Sequence, residues 1–454
     1  MASADPIRFD EVRAWVHEAA LPLWIARGID REHGGAVEAL DLTGRDAGLD
    51  KRVRAQARQV YAFTHAHLLG AQGAAAAADR VWGFLSDHAR RGDGAWARLL
   101  ARDGRVLDPA ADAYDTAFII YALSWRARAG DEGAVGEAHA ALDALERLLG
   151  LGKGLGFRAA EDRPDARLQN PHMHLLEAAV EMAEAGRDQR FAELASDITG
   201  LFAERMFRDG LFVEAYAPDW TPVTGEAQRI EPGHLYEWTW LLHRAEPVTG
   251  RRMRDEAAAL CAFAEENGID PTLRLADDGL DTAELERRRT FRLWPQTEVL
   301  KAHLALWEHS GEGLTAAAPS DSLLPSREKV SPQATDEGPR GAGPLSAEGA
   351  PSETPRGPSS GRSAATFSHE GRRLTFGGPA YHRARIREAV DLLLDRYLAI
   401  APRGGWIDRL DREGRPAADT IPASILSHLL VGFTELLRLE ARLTGGAAAS
   451  SPHP

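Results

Sequence analysis

Three histidines, His174, His234 and His428, recur at one position of a repeating pattern in this chain. Imidazole is the side chain whose ordinary pKa lies closest to neutrality, so it can accept and release a proton at physiological pH. Glu177 follows His174 three residues later, and Glu237 follows His234 at the same spacing, which places each acid on the helical face of its histidine. An acid in that position can orient the ring or bind a hydroxyl group. The pattern therefore predicts a site that moves protons.

Other polar residues follow the same repeat. One phase of it is occupied by Arg58, Tyr114, His174, His234 and Gln296, with gaps of 56, 60, 60 and 62 residues. Segment 311–378, which is rich in Pro, Ser and Gly, accounts for 68 of the 132 residues between Gln296 and His428, so the period continues to the last histidine. A unit that recurs at a fixed period indicates a repeat architecture. Side chains that return at one phase should converge on one axis, which predicts a central polar site.

The surroundings of each histidine set a different expectation for it. His234 follows Pro232-Gly233 in a predicted first helical turn, where the positive end of the helix dipole should disfavour the imidazolium and keep a neutral base available. His428 lies in an otherwise apolar stretch, where a lone histidine is more often a core residue. His172 points away from the face of His174 and is expected to be structural. The shared phase favours function, because independent core histidines have no reason to recur at one position.

Further donors and acceptors complete a predicted ring around the histidines. They are Arg58, Asn170, Gln296 and Glu298, with the tryptophans Trp96, Trp238, Trp294 and Trp406 as possible lining residues. Tryptophans are first of all core residues, but aromatic faces with carboxylates and amides between them also hold the apolar faces and hydroxyls of sugars. Three histidines and a glutamate could instead bind zinc. That alternative is weaker, because no HxxxH or HExxH spacing presents two ligands on one helix.

Helical periodicity appears in twelve segments, which form six pairs. The segments lie near residues 8–27, 51–70, 74–90, 112–128, 132–149, 171–186, 188–206, 233–247, 251–267, 295–309, 380–398 and 421–443. The links inside the pairs carry a glycine followed by alternating apolar and polar residues, as at Gly94-Ala95-Trp96 and Gly405-Trp406, and are predicted to form short β-hairpins. Six helical hairpins that close with the second helix of each pair inside form an all-α (α/α)6 barrel, with the β-hairpins at one rim. An open solenoid is the structural alternative.

Several inner helices are predicted to begin at or beside a proline, which is tolerated there because its missing N–H would have no intrahelical partner. These prolines are Pro171, Pro232, Pro295 and Pro422. Residues 1–310 are assigned to the first ten helices of a single barrel and residues 379–445 to the last two. Residues 311–378 are predicted to be a flexible insertion, since they carry too little apolar surface to order themselves. Residues 446–454 are predicted to be a disordered tail.

The composition excludes several classes of partner. The formal charge of −14 is spread over the chain without a basic run, so a nucleic-acid backbone would be repelled. No apolar run reaches the roughly 18 residues that span a bilayer. Cys261 is the only cysteine, which excludes an intramolecular disulfide and fits a reducing cytoplasm. The first residues lack a basic segment followed by an apolar one, so the protein is expected to be soluble and cytoplasmic. The sequence leaves the oligomeric state open.

Together these motifs resemble the N-acylglucosamine 2-epimerase superfamily, which also contains mannose isomerases, cellobiose 2-epimerases and sulfoquinovose isomerases. The resemblance rests on NPHMHLLEA, EPGHLYEWTWLL, RLWPQTEVLKA and the late helix with His428, in the order and spacing of the family, and covers the chain except the insertion. It implies an (α/α)6 barrel and proton transfer at C1 and C2 of a small-molecule sugar, with no metal ion and no cofactor.

The resemblance also implies roles for single residues. It makes His234 and His428 the two catalytic acid and base residues. The set expected to bind or orient a sugar consists of Arg58, Asn170, His174, Glu237, Gln296 and Trp294. Relatives often have a tyrosine before the last histidine, whereas this chain has Ser427, so the pocket near His428 is expected to differ.

The expected function is a metal-independent isomerase that interconverts an aldose and a ketose of the mannose and fructose type through a cis-enediol or enediolate. One histidine would remove the proton from C2, while Arg58 or His174 polarises the oxygen on which charge develops. Return of the proton to C1 gives a ketose. Return to the opposite face of C2 gives the epimer, so a 2-epimerase of N-acylglucosamine or of a reducing-end glucose unit is the first alternative.

Two other classes stay open at this point. A glycoside hydrolase on the same barrel would need two carboxylates roughly 5 to 10 Å apart, for which the candidates are Asp112, Asp115 and Glu237. A helical-repeat interaction protein would have a shallow, open inner surface. A phosphorylated or sulfonated sugar would need additional cations at the mouth of the pocket, for which the candidates are Arg229, Arg292 and Arg409.

Overall fold

The computed structural model describes residues 6–208, 212–225, 228–310, 378–400 and 402–445. All of them belong to one compact unit. The predicted insertion, apart from Gly378, and the predicted tail lie outside the described residues. Most of the described chain is helical, which confirms the predicted helical class. None of the described helices is long and apolar enough to cross a bilayer.

Helices occur at all twelve predicted places. In chain order they are α1 (Phe9–Ala14), α2 (Leu21–Arg27), α3 (Val53–Leu68), α4 (Ala74–Ala89), α5 (Ala113–Arg128), α6 (Ala134–Leu149), α7 (Gln169–Gly186), α8 (Gln189–Leu201), α9 (Pro232–Thr249), α10 (Arg254–Asn267), α11 (Leu293–His309), α12 (Pro379–Leu392), α13 (Ile425–Arg438) and α14 (Glu440–Leu443). A π-helical turn, Trp15–Ala20, joins α1 to α2, so these two form one outer helix. Similar turns extend α8 over Phe202–Met206 and α12 over Leu393–Leu398.

The odd-numbered helices from α3 to α13 form an inner ring. Each contacts the next, and α13 contacts α3, so the ring closes within the described residues. Each even-numbered helix from α4 to α12 packs against the inner helix that comes directly before it in the chain. Helix α1 packs against α13. The second helix of each predicted pair is therefore the inner one, as the sequence predicts.

Burial patterns explain why the two layers differ. In the outer helix α6 the buried residues return at helical spacing, as Ala134, Ala138, Ala141 and Leu145 do, which is the single apolar stripe of a helix with one solvated face. In the inner helix α7 every residue from Pro171 to Met182 is buried. An inner helix packs against outer helices on one side and faces the common axis on the other. Polar side chains in the inner layer are therefore held inside the protein.

The predicted prolines fall at different distances from the helix starts. Pro232 is the first residue of α9, as expected. Pro171 and Pro295 are the third residues of α7 and α11, where a backbone N–H still has no intrahelical acceptor. The prediction for Pro422 is wrong, because it ends a β-strand three residues before α13.

Short strands join the loops at the rim where the inner helices begin. They are β1 (Ala39–Asp41), β2 (Lys51–Arg52), β3 (Leu99–Leu100), β4 (Val106–Asp108), β5 (Arg167–Leu168), β6 (Ala215–Tyr216), β7 (Arg229–Ile230), β8 (Gly279–Asp281), β9 (Arg287–Arg288), β10 (Phe291–Arg292), β11 (Arg409–Leu410) and β12 (Thr420–Pro422). Only β3–β4 and β8–β9 are local hairpins of named strands. The other pairs, β2–β3, β5–β6, β7–β8 and β10–β11, connect successive repeats, and β1 pairs antiparallel with β12 to connect the first repeat to the last.

One side chain in several inner helices fastens the preceding loop to the helix. Gln56 accepts a hydrogen bond from Ala36 N at 2.7 Å and donates to Ala36 O at 2.9 Å. Gln296 does the same with Ala276, at 2.8 and 3.0 Å. His172 takes this place in α7, where its Nε2 accepts from Phe157 N at 2.9 Å. The expectation that His172 is structural is confirmed.

Replacement of either glutamine should destabilise the protein. Gln56→Met and Gln296→Met keep the volume of the side chain but leave the buried N–H of Ala36 or Ala276 unpaired. Each should lower the free energy of unfolding by about 1–3 kcal/mol, measured by chemical denaturation. Gln189→Met, at an exposed position of α8, is the control and should change it by less than about 0.5 kcal/mol. Equal effects in all three variants would contradict a fastening role.

Candidate active site

A cavity of about 300 Å³ opens at the rim where the inner helices begin. Its size is near the lower end of the range for small-molecule sites. It is lined by Arg52, Arg58, Tyr114, Asn170, His174, Glu231, His234, Glu237, Arg292, Trp294, Asp408, Pro422, Ser424, Ile425 and His428. All six inner helices contribute at least one of these residues. Of the eight residues predicted for the site, the structure brings seven together here, and only Gln296 is absent.

His428 is held between an acid and an arginine. Its Nδ1 lies 2.9 Å from Glu298 Oε1, and Arg58 Nη1 lies 3.1 Å from its Nε2. Arginine can only donate, so Nε2 must accept, and the ring hydrogen is then on Nδ1. Burial, reinforced by the charges of Arg58 and Lys301, lowers the pKa of His428 well below its usual value. His428 is therefore a neutral imidazole that lines the cavity and whose unprotonated nitrogen, Nε2, accepts from Arg58.

His234, unlike His428, is protonated and positively charged. Its Nδ1 donates to Glu214 Oε2 at 2.9 Å. Burial opposes a charge on the ring, but nearby carboxylates, above all Glu214 and Glu231, outweigh it and raise the pKa of His234 to about 9. The expectation that the helix dipole keeps this histidine neutral is wrong. A helix terminus acts as about half a charge, whereas each ionised carboxylate brings a full one.

The protonation of His234 also settles the orientation of Asn170. The side-chain nitrogen of Asn170 lies 3.0 Å from His234 Nε2, while its oxygen is buried without a partner. An imidazolium has a hydrogen on both nitrogens and cannot accept. The amide oxygen and nitrogen are interchangeable by rotation, so the compatible orientation has the Asn170 oxygen accepting from Nε2. This orientation pairs the Asn170 oxygen with the Nε2 hydrogen of His234.

Arg58 joins the remaining polar groups of the cavity wall. Its Nη2 donates to the hydroxyl of Tyr114 at 2.8 Å, and its guanidinium lies over the ring of Phe118, 4.0 Å from the centroid. The ring of His174 contacts those of Tyr114 and Phe118, and its Nδ1 lies 3.0 Å from Glu177 Oε2. Burial lowers the pKa of His174 to about 3, so this ring is neutral. Arg58 is thus a fixed cation beside two neutral hydrogen-bonding side chains.

Trp294 contacts both catalytic candidates. Its ring centroid lies 5.0 Å from that of His234 and 5.7 Å from that of His428. The indole reaches this position because residue 233 is a glycine, where a Cβ atom would lie 2.6 Å from the Trp294 ring and 3.0 Å from Pro295. The other three tryptophans that the sequence offered as lining residues do not line the cavity. Trp96 packs on Trp82, Trp406 stacks on Trp24, and Trp238 is fully buried.

Buried carboxylates below the cavity surround a lysine. The ammonium of Lys301 lies 2.6 Å from Glu298 and 3.8 Å from Glu237. Two groups of side chains, His174 with Glu177 and Glu237, and Glu237 with Glu298 and His428, are close enough to share a metal ion. Burial opposes the charge of Lys301, but Glu298 and Glu237 raise its pKa, so it is a permanent cation. Lys301 therefore supplies the positive charge that these acids require.

Gln296 occupies another phase of the repeat than the sequence predicts. Because Gln296 fastens the loop in the manner of Gln56, the residue that corresponds to Arg58 is Glu298, two residues further along α11. The position in α11 that corresponds to Arg58 thus lies two residues later than the sequence pattern predicts. Glu298 was already a candidate donor or acceptor by sequence, and it proves to be the partner of His428.

Two of the three acids predicted for a hydrolase lie outside the cavity lining. Asp112 accepts hydrogen bonds from the backbone at the start of α5 and from Arg163. Asp115 lies 3.1 Å from Arg54. Of the three candidate carboxylates, only Glu237 lines the cavity.

Sequence reasoning missed several residues of the site. Glu214, which orients His234, and Asp408, which lines the mouth, lie in loops without a recurring pattern. Arg52 and Glu231 precede α3 and α9 directly, so alignment of the helix starts could have found them. Of the three arginines considered for the mouth, the structure places Arg292 in the lining.

Comparisons with known proteins place the chain among sugar-converting enzymes. Residues 34–321 match the family model described as N-acylglucosamine 2-epimerase (GlcNAc 2-epimerase). The chain is 30% identical over 448 residues to a mannose-6-phosphate isomerase of Rhizobium meliloti (strain 1021), covering 94% of this chain and 96% of the relative. It is 25% identical over 338 residues to a cellobiose 2-epimerase of Bacteroides fragilis, covering 68% of this chain and 84% of the relative. A crystal structure of a D-mannose isomerase superposes with a TM-score of 0.74 at 16% identity, covering 96% of this chain and 99% of that one.

A methyl group at residue 233 should displace Trp294. Gly233→Ala puts Cβ 2.6 Å from the indole, and overpacking of this kind usually destabilises by about 1–3 kcal/mol. The melting temperature should fall, and the Trp294 indole N–H resonance should move in a proton–nitrogen correlation spectrum.

Gly136→Ala is the matched control, because it lies within α6 and its Cβ would meet no atom within 4 Å. Alanine is the better helix former, so this variant should be equally or more stable. An unchanged indole resonance in Gly233→Ala would contradict the tight contact.

Proposed function

The chain belongs to the N-acylglucosamine 2-epimerase family of sugar isomerases and 2-epimerases, and we propose that it interconverts an unphosphorylated aldose and its ketose, of the mannose and fructose type, without a metal ion. One observation carries this proposal: two histidines of opposite protonation, His234 and His428, face one cavity. A neutral imidazole is a base and an imidazolium is an acid, so the site holds both groups that enolisation requires.

In the proposed reaction His428 is the base and His234 the acid. A bound sugar would first take over the contacts of these two rings, so that Arg58 donates to a sugar oxygen in place of His428 and His234 donates to O1 in place of Asn170. Nε2 of His428 then removes the proton from C2, the electron pair of the C–H bond forms the C1–C2 double bond, the π pair of the carbonyl moves to O1, and O1 takes the Nε2 proton of His234. The product of this step is a cis-enediol. Protonated His428 then returns its proton to C1, and neutral His234 accepts the proton of the O2 hydroxyl as the C2 carbonyl forms. Both histidines end in their starting states, so no other reactant is consumed.

The remaining lining residues fit the binding of a polyol. Arg58 is a fixed cation beside His428 and would stabilise the oxygen on which charge develops. Asn170, His174 and Glu237 offer acceptors and donors to hydroxyl groups, and Trp294 offers an aromatic face to the sugar ring. This arrangement of one apolar face with polar groups around it is typical of sugar sites.

The charges at the mouth favour a sugar without a phosphate. Arg52 is paired with Glu38, and Arg292 lies 2.8 Å from Glu231 and 3.0 Å from Asp278. Glu231 and Asp408 themselves line the cavity. A phosphate dianion would have to displace these carboxylates from the arginines while lying beside others, whereas a neutral hydroxyl can hydrogen-bond to either group. The relative that is named for a phosphorylated sugar makes mannose 6-phosphate the second candidate substrate.

The other classes have less support. A 2-epimerase would use the same two histidines, with the proton returned to the opposite face of C2. A hydrolase would need a pair of carboxylates. Of the three predicted for it only Glu237 lines the cavity, and Glu231, which also lines it, is paired with Arg292. An interaction protein would have no use for a cavity lined by buried acids and bases. We also propose that the closed ring of inner helices is an (α/α)6 barrel of six helical hairpins and that the protein is cytoplasmic.

Proton NMR of the EDTA-treated enzyme in D2O tests this function. We expect D-mannose to give fructose, and mannose 6-phosphate, N-acetylmannosamine and cellobiose to react more slowly or not at all. His234→Asn and His428→Asn should each lower kcat by about 10²-fold to 10⁴-fold, the usual contribution of one general acid or base. A C2 epimer as product would establish the epimerase instead. Faster turnover of mannose 6-phosphate would overturn the substrate proposal, and near-normal kcat in either variant would overturn the mechanism.

The pH dependence should report the unusual protonation states. The active form has His428 neutral and His234 charged. The pKa of His428 is lowered, so this histidine stays neutral even in weak acid. The pKa of His234 is raised to about 9, so this histidine loses its proton only as the pH rises through that value. We expect kcat/KM for mannose to be flat from about pH 6 to about pH 8 and to fall above about pH 9. A midpoint near 6.5, the ordinary value for histidine, would contradict this assignment.

A further inference from the structure

We propose that Glu214 is a positioning residue that holds His234 as the proton donor of the cavity, a proposal that rests on the proposed function. Glu214 is not among the residues that line the cavity. It acts on the far nitrogen of the ring, where its Oε2 accepts the Nδ1 hydrogen at 2.9 Å. The nitrogen that faces Asn170 and the cavity is therefore Nε2.

The carboxylate of Glu214 is fixed from three directions. Its Oε2 also accepts from Gln169 Nε2 at 2.7 Å, and its Oε1 accepts from the backbone N–H of Glu231 at 3.0 Å. Gln169 is held in turn, because its side-chain oxygen accepts from the indole N–H of Trp238 at 2.6 Å. Trp238 is fully buried in α9. This chain of contacts leaves the carboxylate no freedom to turn away from His234.

The two histidines of the cavity differ in the charge behind them. Both have a glutamate 2.9 Å from Nδ1, Glu214 for His234 and Glu298 for His428. Glu298 is also 2.6 Å from the ammonium of Lys301. Among the described residues no lysine or arginine forms an ion pair with Glu214. The negative charge of Glu214 is thus directed at His234, whereas burial raises the pKa of Glu298 to about 8 and Lys301 shares the charge that Glu298 carries.

Other charges around His234 are weaker or indirect contributors. Glu231 lies at the start of its helix but is paired with Arg292, and Glu237 lies one turn further on and is close to Lys301. Positive charges on His174 or His428 would repel one on His234, but burial keeps both rings neutral. Asn170 and Trp294 contact the ring without a charge. Glu214 is the one carboxylate that forms a hydrogen bond with His234 in the described part of the chain.

Glu214→Gln removes the charge and keeps an oxygen that can accept the Nδ1 hydrogen. Titration of nitrogen-labelled histidines by NMR, which needs no turnover, should show the pKa of His234 falling from about 9 to below about 7. The alkaline limb of kcat/KM should move down with it, and kcat should fall at least tenfold at pH 8 while KM changes less than threefold. Glu204→Gln, an exposed acid on the preceding helix, is the control and should leave both profiles unchanged.

Glu214→Asp keeps the charge and is the second variant. It should retain an alkaline limb near that of the parent but have a lower kcat, because the shorter side chain holds the ring less well. Titration of His234 near pH 9 in Glu214→Gln, or one pH profile shared by both variants, would overturn the proposal. If the parent enzyme converts none of the sugars, the proposed function fails, but the NMR titration still decides the role of Glu214.

Discussion

The energetic cost of burying charge controls how the inside of this protein is arranged. The closed inner ring buries the polar side chains that face its axis, and an unpaired ionised group in such a place is strongly destabilising. Each buried acid near the cavity accordingly has a partner: Glu177 contacts His174, Glu214 contacts His234, and Glu298 contacts both His428 and Lys301. The functional residues are therefore members of one charge network, and the protonation state of each depends on its charged neighbours.

Enolisation needs an acid and a base, and the charge network gives two similarly paired histidines different protonation states. Two histidines with the same type of partner at the same distance would ordinarily titrate alike. Here Arg58 and Lys301 place positive charge beside His428, whereas His234 faces carboxylates. Groups whose environments push their pKa values apart are the usual basis of acid and base assignments at neutral pH. Arg58 also fixes the tautomer of His428, because it can only donate to Nε2 and so leaves the ring hydrogen on Nδ1.

Much of the fold could be predicted because a repeat multiplies weak signals. One apolar stripe is poor proof of a helix, but twelve of them at a regular period locate every helix. The histidines do not share one helical position, because His174 is the sixth residue of α7, His234 the third of α9 and His428 the fourth of α13, yet all three line the cavity. The error at Gln296 has a simple geometric cause. Residues two apart on a helix point about 200° away from each other. Gln56, His172 and Gln296 turn toward the loops, whereas Arg58, His174 and Glu298, two residues on, turn toward the axis. A period that drifts by two residues therefore exchanges a fastening residue for a functional one.

What the sequence could not supply is the direction of the electrostatic field at each histidine. The dipole argument for His234 used the partial charge at the first turn of a predicted helix and left out Glu231, three residues earlier. The charge that raises the pKa of His234 most, that of Glu214, comes from elsewhere in the fold. Glu214 lies 20 residues earlier in the sequence, in a loop that has no recurring pattern, and reaches His234 only because β6 and β7 bring two rim loops to the start of α9. A local sequence pattern can identify a residue that moves a proton, but the protonation state of that residue is set by tertiary neighbours that no local pattern names.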